Sequence, residues 1–193
     1  RFNDVARWSA VFDSPERDAW QRPEALIAAI DIPVGAAVAD IGAGTGYFLP
    51  HLAAAVGGEG TVYAVDVESS LINHMTRRAL SAGLMQVKPI LGTFDDAHLP
   101  EGSVDRVLMV NTYHHVAERE DYFRRLQGAM RPGGQLIVVD FTLDTERGPP
   151  VSHRLAPDVV TAELGAAGWT AAGAVDVLPD QYVLIFEQSG QDR

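Results

Sequence analysis

One stretch constrains this chain more than any other: Val38-Ala39-Asp40-Ile41-Gly42-Ala43-Gly44-Thr45-Gly46-Tyr47-Phe48. An apolar run ends at an acidic residue, and Gly42, Gly44 and Gly46 then alternate with other residues. An apolar, helix-compatible segment follows at once. The order is strand, tight turn, helix. Glycine lets a turn adopt left-handed angles and lets a ligand approach the main chain. A helix opening straight after such a turn presents unpaired N–H groups. The pattern predicts a small-molecule pocket at the carboxyl end of the first strand of a doubly wound sheet.

The spacing narrows the ligand. A dinucleotide fingerprint reads G-x-G-x-x-G, because the pyrophosphate needs the helix N-terminus and a close third glycine. Here it is G-x-G-x-G, and Asp40 lies just before the turn. A carboxylate there repels a diphosphate and attracts an ammonium group. Both departures favour a cationic, phosphate-free nucleoside, and S-adenosylmethionine fits that description. Asp40, Gly42, Ala43, Gly44 and Gly46 are the first candidate binding residues.

The segment Asp40 to Gly46 resembles the first motif of the class I S-adenosylmethionine-dependent methyltransferases. Three further segments match in order: the strand ending at Asp66, the loop ending Leu99-Pro100, and Arg131-Pro132-Gly133-Gly134 before an apolar strand. Together they span roughly residues 22 to 187. The resemblance implies a Rossmann-like, mostly parallel seven-stranded sheet of α/β class with a C-terminal antiparallel hairpin. It implies S-adenosylmethionine as cofactor, S-adenosylhomocysteine as product, and a small-molecule methyl acceptor. Two alternatives stay open: a binding protein for the cofactor without catalysis, and a nicotinamide-dependent oxidoreductase on a related sheet.

The elements follow from periodicity and turn residues. Residues 1 to 21 form an N-terminal helical extension, with Val5, Trp8 and Phe12 at helical spacing and a break at Ser14-Pro15. Its aromatics need a surface to cover, either a sheet edge or, as a lid, the ligand pocket. The domain proper is 22–193. It opens with a helix from Arg22 to Ile30, with Pro23 near its start. Strands are expected at about 37–41, 61–66, 87–91, 103–110 and 135–141, with a closing hairpin at 171–178 and 181–187. Helices are expected at 47–56, 69–82, 118–130 and 157–167. Ser69 or Ser70 is the expected cap of the second of these. Arg131 to Gly134 reads as a turn between helix and strand.

Site residues follow from strand ends. Asp66 falls 20 residues after Gly46 and can accept hydrogen bonds from both ribose hydroxyls. Val67 then lies at the adenine edge. Counting back from Leu99-Pro100, the resemblance implies that Asp95 contacts the adenine amino group, with Asp96 able to substitute. Asn111 stands at the carboxyl end of the fourth strand, where open sheets bind ligands. The resemblance puts its loop beside the methionine part of the cofactor and the acceptor, with Tyr113 as another polar contact. An acceptor that carries a proton needs a base, and histidine suits neutral pH. His115, His114 and His153 are the candidates, and the irregular stretch from Asp140 to Leu155 is a candidate substrate loop. These histidines and Asp140 could converge on a metal, but adjacent histidines lack the i, i+4 spacing of a helical ligand pair. No metal is expected.

Composition excludes further classes. With 15 basic and 26 acidic residues, net charge −11, the chain lacks the basic character of a general nucleic-acid binder. The same charge disfavours an anionic membrane surface. Without cysteine there is no disulfide, thiolate ligand or thiol nucleophile. No apolar run reaches the length of a transmembrane helix. A cytoplasmic location is the default expectation. Position 1 is Arg, so the natural start is not in the chain and an export signal stays an open question. The oligomeric state and the acceptor are not legible.

Overall fold

The computed structural model describes residues 13–190. The helix expected around Val5, Trp8 and Phe12 lies outside them. The described chain runs α1 (Arg17–Gln21), α2 (Pro23–Ala29), β1 (Ala37–Ile41), α3 (Leu49–Val56), β2 (Thr61–Asp66), α4 (Ser69–Ser81), β3 (Val87–Leu91) and β4 (Val104–Val110). It continues through a 3-10 turn (Tyr113–His115), α5 (Arg119–Leu126), β5 (Met130–Phe141), a second such turn (Val151–His153), α6 (Pro157–Ala166), β6 (Trp169–Val175) and β7 (Gln181–Gln188).

The seven strands form one sheet in the order β3-β2-β1-β4-β5-β7-β6. β1 to β5 are parallel, while β7 runs antiparallel between β5 and β6. The chain winds outward from β1 through β2 to β3, then crosses back to β4 on the other side of β1. The strand order therefore reverses between β1 and β4, and a crevice opens at their carboxyl ends. The loops after those two strands are its walls.

Parallel strands covered on both faces need apolar side chains at nearly every position. β1, Ala-Val-Ala-Asp-Ile, is buried throughout. Neighbours along a strand feed opposite layers. Val38, Leu108 and Ile137 pack with Leu26, Leu49 and Leu52 of α2 and α3. Ala39, Met109 and Val138 pack with Phe123, Val160 and Leu164 of α5 and α6. Trp169 closes that second layer, its Nε1 donating to the carbonyl of Phe123 at 2.9 Å.

Three expectations change. Arg131 to Gly134 is not a turn before β5 but an irregularity within it. Val104 pairs with Met130, and the next partner of β4, Arg106, faces Gln135. Gly133, at φ 75°, absorbs the extra residues. The cap of α4 is Glu68 rather than a serine, and Ser70 Oγ has no hydrogen-bond partner among the described residues. After the break at Ser14-Pro15 the N-terminal extension re-enters a helix, α1, where only one helix ahead of the break was expected.

Candidate cofactor and acceptor site

The glycine loop leaves β1 with Gly42, Gly44 and Gly46 at φ 75°, 59° and 81°. Only glycine takes such angles without strain. A Cβ on Gly42 would stand 2.2 Å from Thr112 Oγ1. The loop after β4 thus rests on the loop after β1, as the strand order requires. The amides of Gly42 and Ala43 both donate to Val65 O, at 2.9 and 3.0 Å, which pins the loop over the end of β2.

Asp66, at that end, is held from two sides. Its Oδ2 accepts from the Gly44 amide at 2.9 Å and its Oδ1 from the Glu68 amide at 3.0 Å. Burial pushes its carboxyl above the usual range, against those amides. Asp40 is 2% exposed, and its Oδ2 accepts no hydrogen bond among the described residues. Burial raises it to about 7, with the Arg17 guanidinium opposing and Asp66 adding. A buried carboxylate oxygen without a donor is costly unless a ligand supplies one. An ammonium group is such a donor. The glycine cradle and the unsatisfied Asp40 therefore fit S-adenosylmethionine.

β3 pairs with β2 so that Leu91 stands opposite Asp66, and the Gly92 amide donates to Asp66 O at 3.0 Å. Val67, Leu91 and Phe94 are exposed there. They give an apolar step beside the acidic residue. Asp95 is exposed, and the Thr93 hydroxyl, donating to its Oδ1 at 2.7 Å, holds its carboxyl below the usual range. Asp96 Oδ1 accepts from the His98 amide at 2.7 Å. The carboxyl end of β2 and β3 thus carries exposed apolar side chains, and the loop that follows holds two carboxylates through its own hydrogen bonds.

The other wall carries the histidines. His114 Nδ1 lies 2.7 Å from Asp140 Oδ2, and their side chains are 6% and 1% exposed. A carboxylate can only accept, so Nδ1 donates and Nε2 is left as the acceptor. Asp140 Oδ1 accepts from the Phe141 amide at 2.9 Å, which fixes the carboxylate. The His115 ring lies 4.1 Å from that of His114. Partial burial, then the His114 imidazole, holds His115 below its usual value; Asp140 opposes and His153 adds to the lowering. His153 stands in the exposed Val151–His153 turn, within electrostatic reach of this group. Among the described residues no three histidine, aspartate or glutamate side chains are set to hold a metal ion.

Asn111 takes a left-handed φ of 56°, and its Oδ1 accepts from Gln181 Nε2 at 2.5 Å. Gln181 Oε1 in turn accepts from Gln21 Nε2 at 2.6 Å. Tyr113 leaves the rim altogether. It is fully buried, and its hydroxyl donates to Glu163 on α6 at 2.9 Å. The stretch after β5 is organised from within by Arg154, which donates to the carbonyls of Pro149, Thr142 and Thr145 at 2.7 to 2.9 Å.

α1 lies across this edge. Thr45 Oγ1 and Arg78 Nη1 donate to Asp13 Oδ1, at 3.0 and 2.8 Å, and the Tyr47 hydroxyl donates to Asp18. The Arg17 guanidinium stands 3.9 Å from the centre of the Tyr47 ring. Trp20 packs on Phe141 at 5.7 Å and under the Arg147 guanidinium at 5.3 Å. Sequence reasoning missed Arg17, Thr112, Asp140 as a histidine partner, and Gln181. Asp140, ending an apolar strand as Asp40 and Asp66 do, carried a signal that could have found it.

A sheet wound in this order, with a glycine loop at its reversal point and acidic residues closing β1 and β2, defines a class I S-adenosylmethionine-dependent methyltransferase. The family model described as a methyltransferase domain matches residues 38–134, half of the chain, and the chain belongs to that family. A solved S-adenosylmethionine-dependent methyltransferase from Aquifex aeolicus superposes with a TM-score of 0.89 at 25% identity, covering 96% of this chain and 97% of that one. Methyltransferase GfsG of Streptomyces halstedii is 28% identical over 88% of this chain and 57% of its own length. The ubiquinone/menaquinone biosynthesis C-methyltransferase UbiE of Hahella chejuensis is 27% identical over 59% of this chain and 46% of its own length. The chain spans about half the length of these two curated relatives. No helix among the described residues is long and apolar enough to cross a membrane.

Proposed function

We propose that the protein methylates a small molecule whose accepting atom carries a proton, with His114 as general base. The observation that carries this reading is the buried His114–Asp140 pair at the carboxyl edge of the sheet. Burying a carboxylate beside an imidazole orients the ring and stabilises the imidazolium that forms when it accepts a proton. An acceptor with nothing to lose, such as a tertiary amine, makes no use of that arrangement.

When bound, S-adenosylmethionine supplies an electrophilic methyl group on a sulfonium. In this reading Gly42, Ala43, Gly44 and Gly46 cradle it, Asp40 faces its amino-acid end, and Asp66 takes the ribose hydroxyls. Val67, Asp95 and Asp96 border the adenine, and Asn111 lies beside the methionine chain. His114 Nε2 removes the acceptor's proton while Nδ1 keeps its bond to Asp140. His115 and His153 flank that base and line the acceptor side. Segment 13–21 acts as the lid, which excludes water and restricts the acceptor's approach.

The test is acceptor-dependent release of S-adenosylhomocysteine from a panel of phenols, enols and tertiary amines. Turnover is expected with phenols or enols. With an active acceptor, His114→Gln is expected to lower kcat by about a hundredfold or more, with affinity for S-adenosylhomocysteine unchanged. Full activity in that variant, or turnover confined to tertiary amines, overturns the proposal.

A further inference from the structure

One carboxylate on α6 is tied to both ends of the turn that carries His114. In a 3-10 turn successive side chains stand about a third of a turn apart, so fixing Tyr113 fixes the directions of His114 and His115. Tyr113 is fully buried and stacks on Phe123 of α5, with ring centres 5.0 Å apart. Its hydroxyl donates to Glu163 Oε2 at 2.9 Å. Burial, then that bond, pushes the hydroxyl above its usual value, so it stays a donor. Arg119, the first residue of α5, donates to both oxygens of the same carboxylate, from Nε at 2.6 Å and from Nη2 at 3.0 Å. Its Nη1 donates to Val116 O at 2.8 Å, and the Val116 amide closes the turn on Tyr113 O at 3.1 Å.

An ion pair as exposed as Arg119–Glu163, at 22% and 30%, adds little to stability. Joining α5 to α6 does not require it, because Phe123, Val160 and Leu164 already pack in that layer. What the pair adds is direction, since a two-pronged bond between guanidinium and carboxylate fixes the plane of each. Burial opposes the charge on Glu163, yet its bonds to Arg119 and Tyr113 hold the carboxyl below the usual range, so it is ionised at neutral pH. We propose that Glu163 is a positioning residue: through Tyr113 and Arg119 it sets the turn so that His114 Nδ1 meets Asp140 Oδ2 and Nε2 is left to accept a proton. The inference rests on the base assignment above and deepens it with a residue of α6. A reacting group displaced by about 1 Å can lose about a hundredfold in rate, so the angle of the turn matters to the chemistry and not only to the fold.

Two readouts on the full chain test this. Nitrogen NMR of isotope-labelled histidine reports which ring nitrogen of His114 carries the proton, the signal being assigned by its loss in His114→Gln. Above about pH 8, where a free imidazole is neutral, the wild type is expected to hold the proton on Nδ1. Glu163→Gln and Tyr113→Phe are each expected to give a mixture of Nδ1 and Nε2 forms. With an active acceptor, both are expected to lower kcat by about tenfold and to leave KM for S-adenosylmethionine within about twofold. Tyr113→Phe removes a single oxygen and serves if Glu163→Gln does not fold. Arg124→Gln, which breaks the exposed pairs with Glu120 and Asp121 on the same helix, is the control and is expected to change neither readout. A wild-type proton position in both test variants overturns the inference, because Glu163 then only joins two helices. An equal change in Arg124→Gln also overturns it, because the effect is then general to α5. A mixed proton position with kcat unchanged supports the role of Glu163 in placing the ring and overturns His114 as the base. If the wild type does not hold the proton on Nδ1, the base assignment fails and this inference goes with it.

Discussion

Asp40 reads as a defect of the fold unless a ligand is considered. In the unfolded chain its carboxyl titrates near 4, and in the fold it is pushed up to about 7. Between those values the folded state holds the extra proton, so stability falls as pH rises from about 4 to about 7. Three units of displacement correspond to about 4 kcal/mol at most. Asp40→Asn is expected to raise the melting temperature of the ligand-free protein at pH 8 and to change it little near pH 4, as thermal denaturation would show. The same substitution should weaken S-adenosylhomocysteine binding, the usual exchange of function for stability. Gly42 is a second single-residue test. Alanine there meets both a left-handed φ and Thr112 Oγ1 at 2.2 Å. We expect Gly42→Ala to cost about 1–3 kcal/mol and to lose cofactor affinity, measured by denaturant titration and calorimetry. At this scale the placing of the glycines, Asp40 and Asp66 at the strand ends was legible, because a turn motif is local. Arg17, Thr112 and Gln181 were not, because they approach the site from other parts of the chain.

Among the elements, those buried on both faces were the easiest to foresee. β1, β2 and β3 run as expected because Ala37–Ile41, Thr61–Asp66 and Val87–Leu91 are apolar runs closed by turn residues. The Arg131–Gly134 irregularity was misread because two glycines and a proline signal a turn whether or not pairing resumes on both sides. α1 went unseen for a different reason. Five residues cannot hold a helix by propensity, and this one exists through its contacts with the glycine loop and β7. Gln181 is the central contact, bonded to both Gln21 and Asn111. Gln181→Leu leaves the buried Gln21 amide without its partner, at about 1–3 kcal/mol. The expected result is faster amide hydrogen exchange in residues 17–21, with exchange in β1 and β4 unchanged. Equal protection of α1 in that variant would mean that packing alone holds it.

Over the whole molecule the charge is −11, and the two forms of the cofactor differ by one positive charge. The methyl donor carries a sulfonium; the product does not. Long-range attraction should therefore favour the donor, and salt should remove that advantage. Raising ionic strength from about 0.05 to 0.5 M is expected to weaken the donor's affinity by about two- to fivefold more than the product's. Parallel titrations of both ligands would check it, and identical salt slopes would assign the discrimination to short-range contacts. The overall topology was legible from four ordered motifs. The acceptor was not, since the walls proposed for its site come from α1, the loop after β4 and the stretch between β5 and α6, none of which shares a sequence pattern.

The placement of β7 between β5 and β6 bears on how the protein is made. A ribosome delivers β6 before β7, yet among the described residues β6 pairs with β7 alone. That strand must wait for β7 before it has a seat. Gln181, at the head of that last strand, then reaches back to Gln21. The nascent polypeptide can finish its parallel core while still tethered, but α1 acquires this partner only after β7 has been translated.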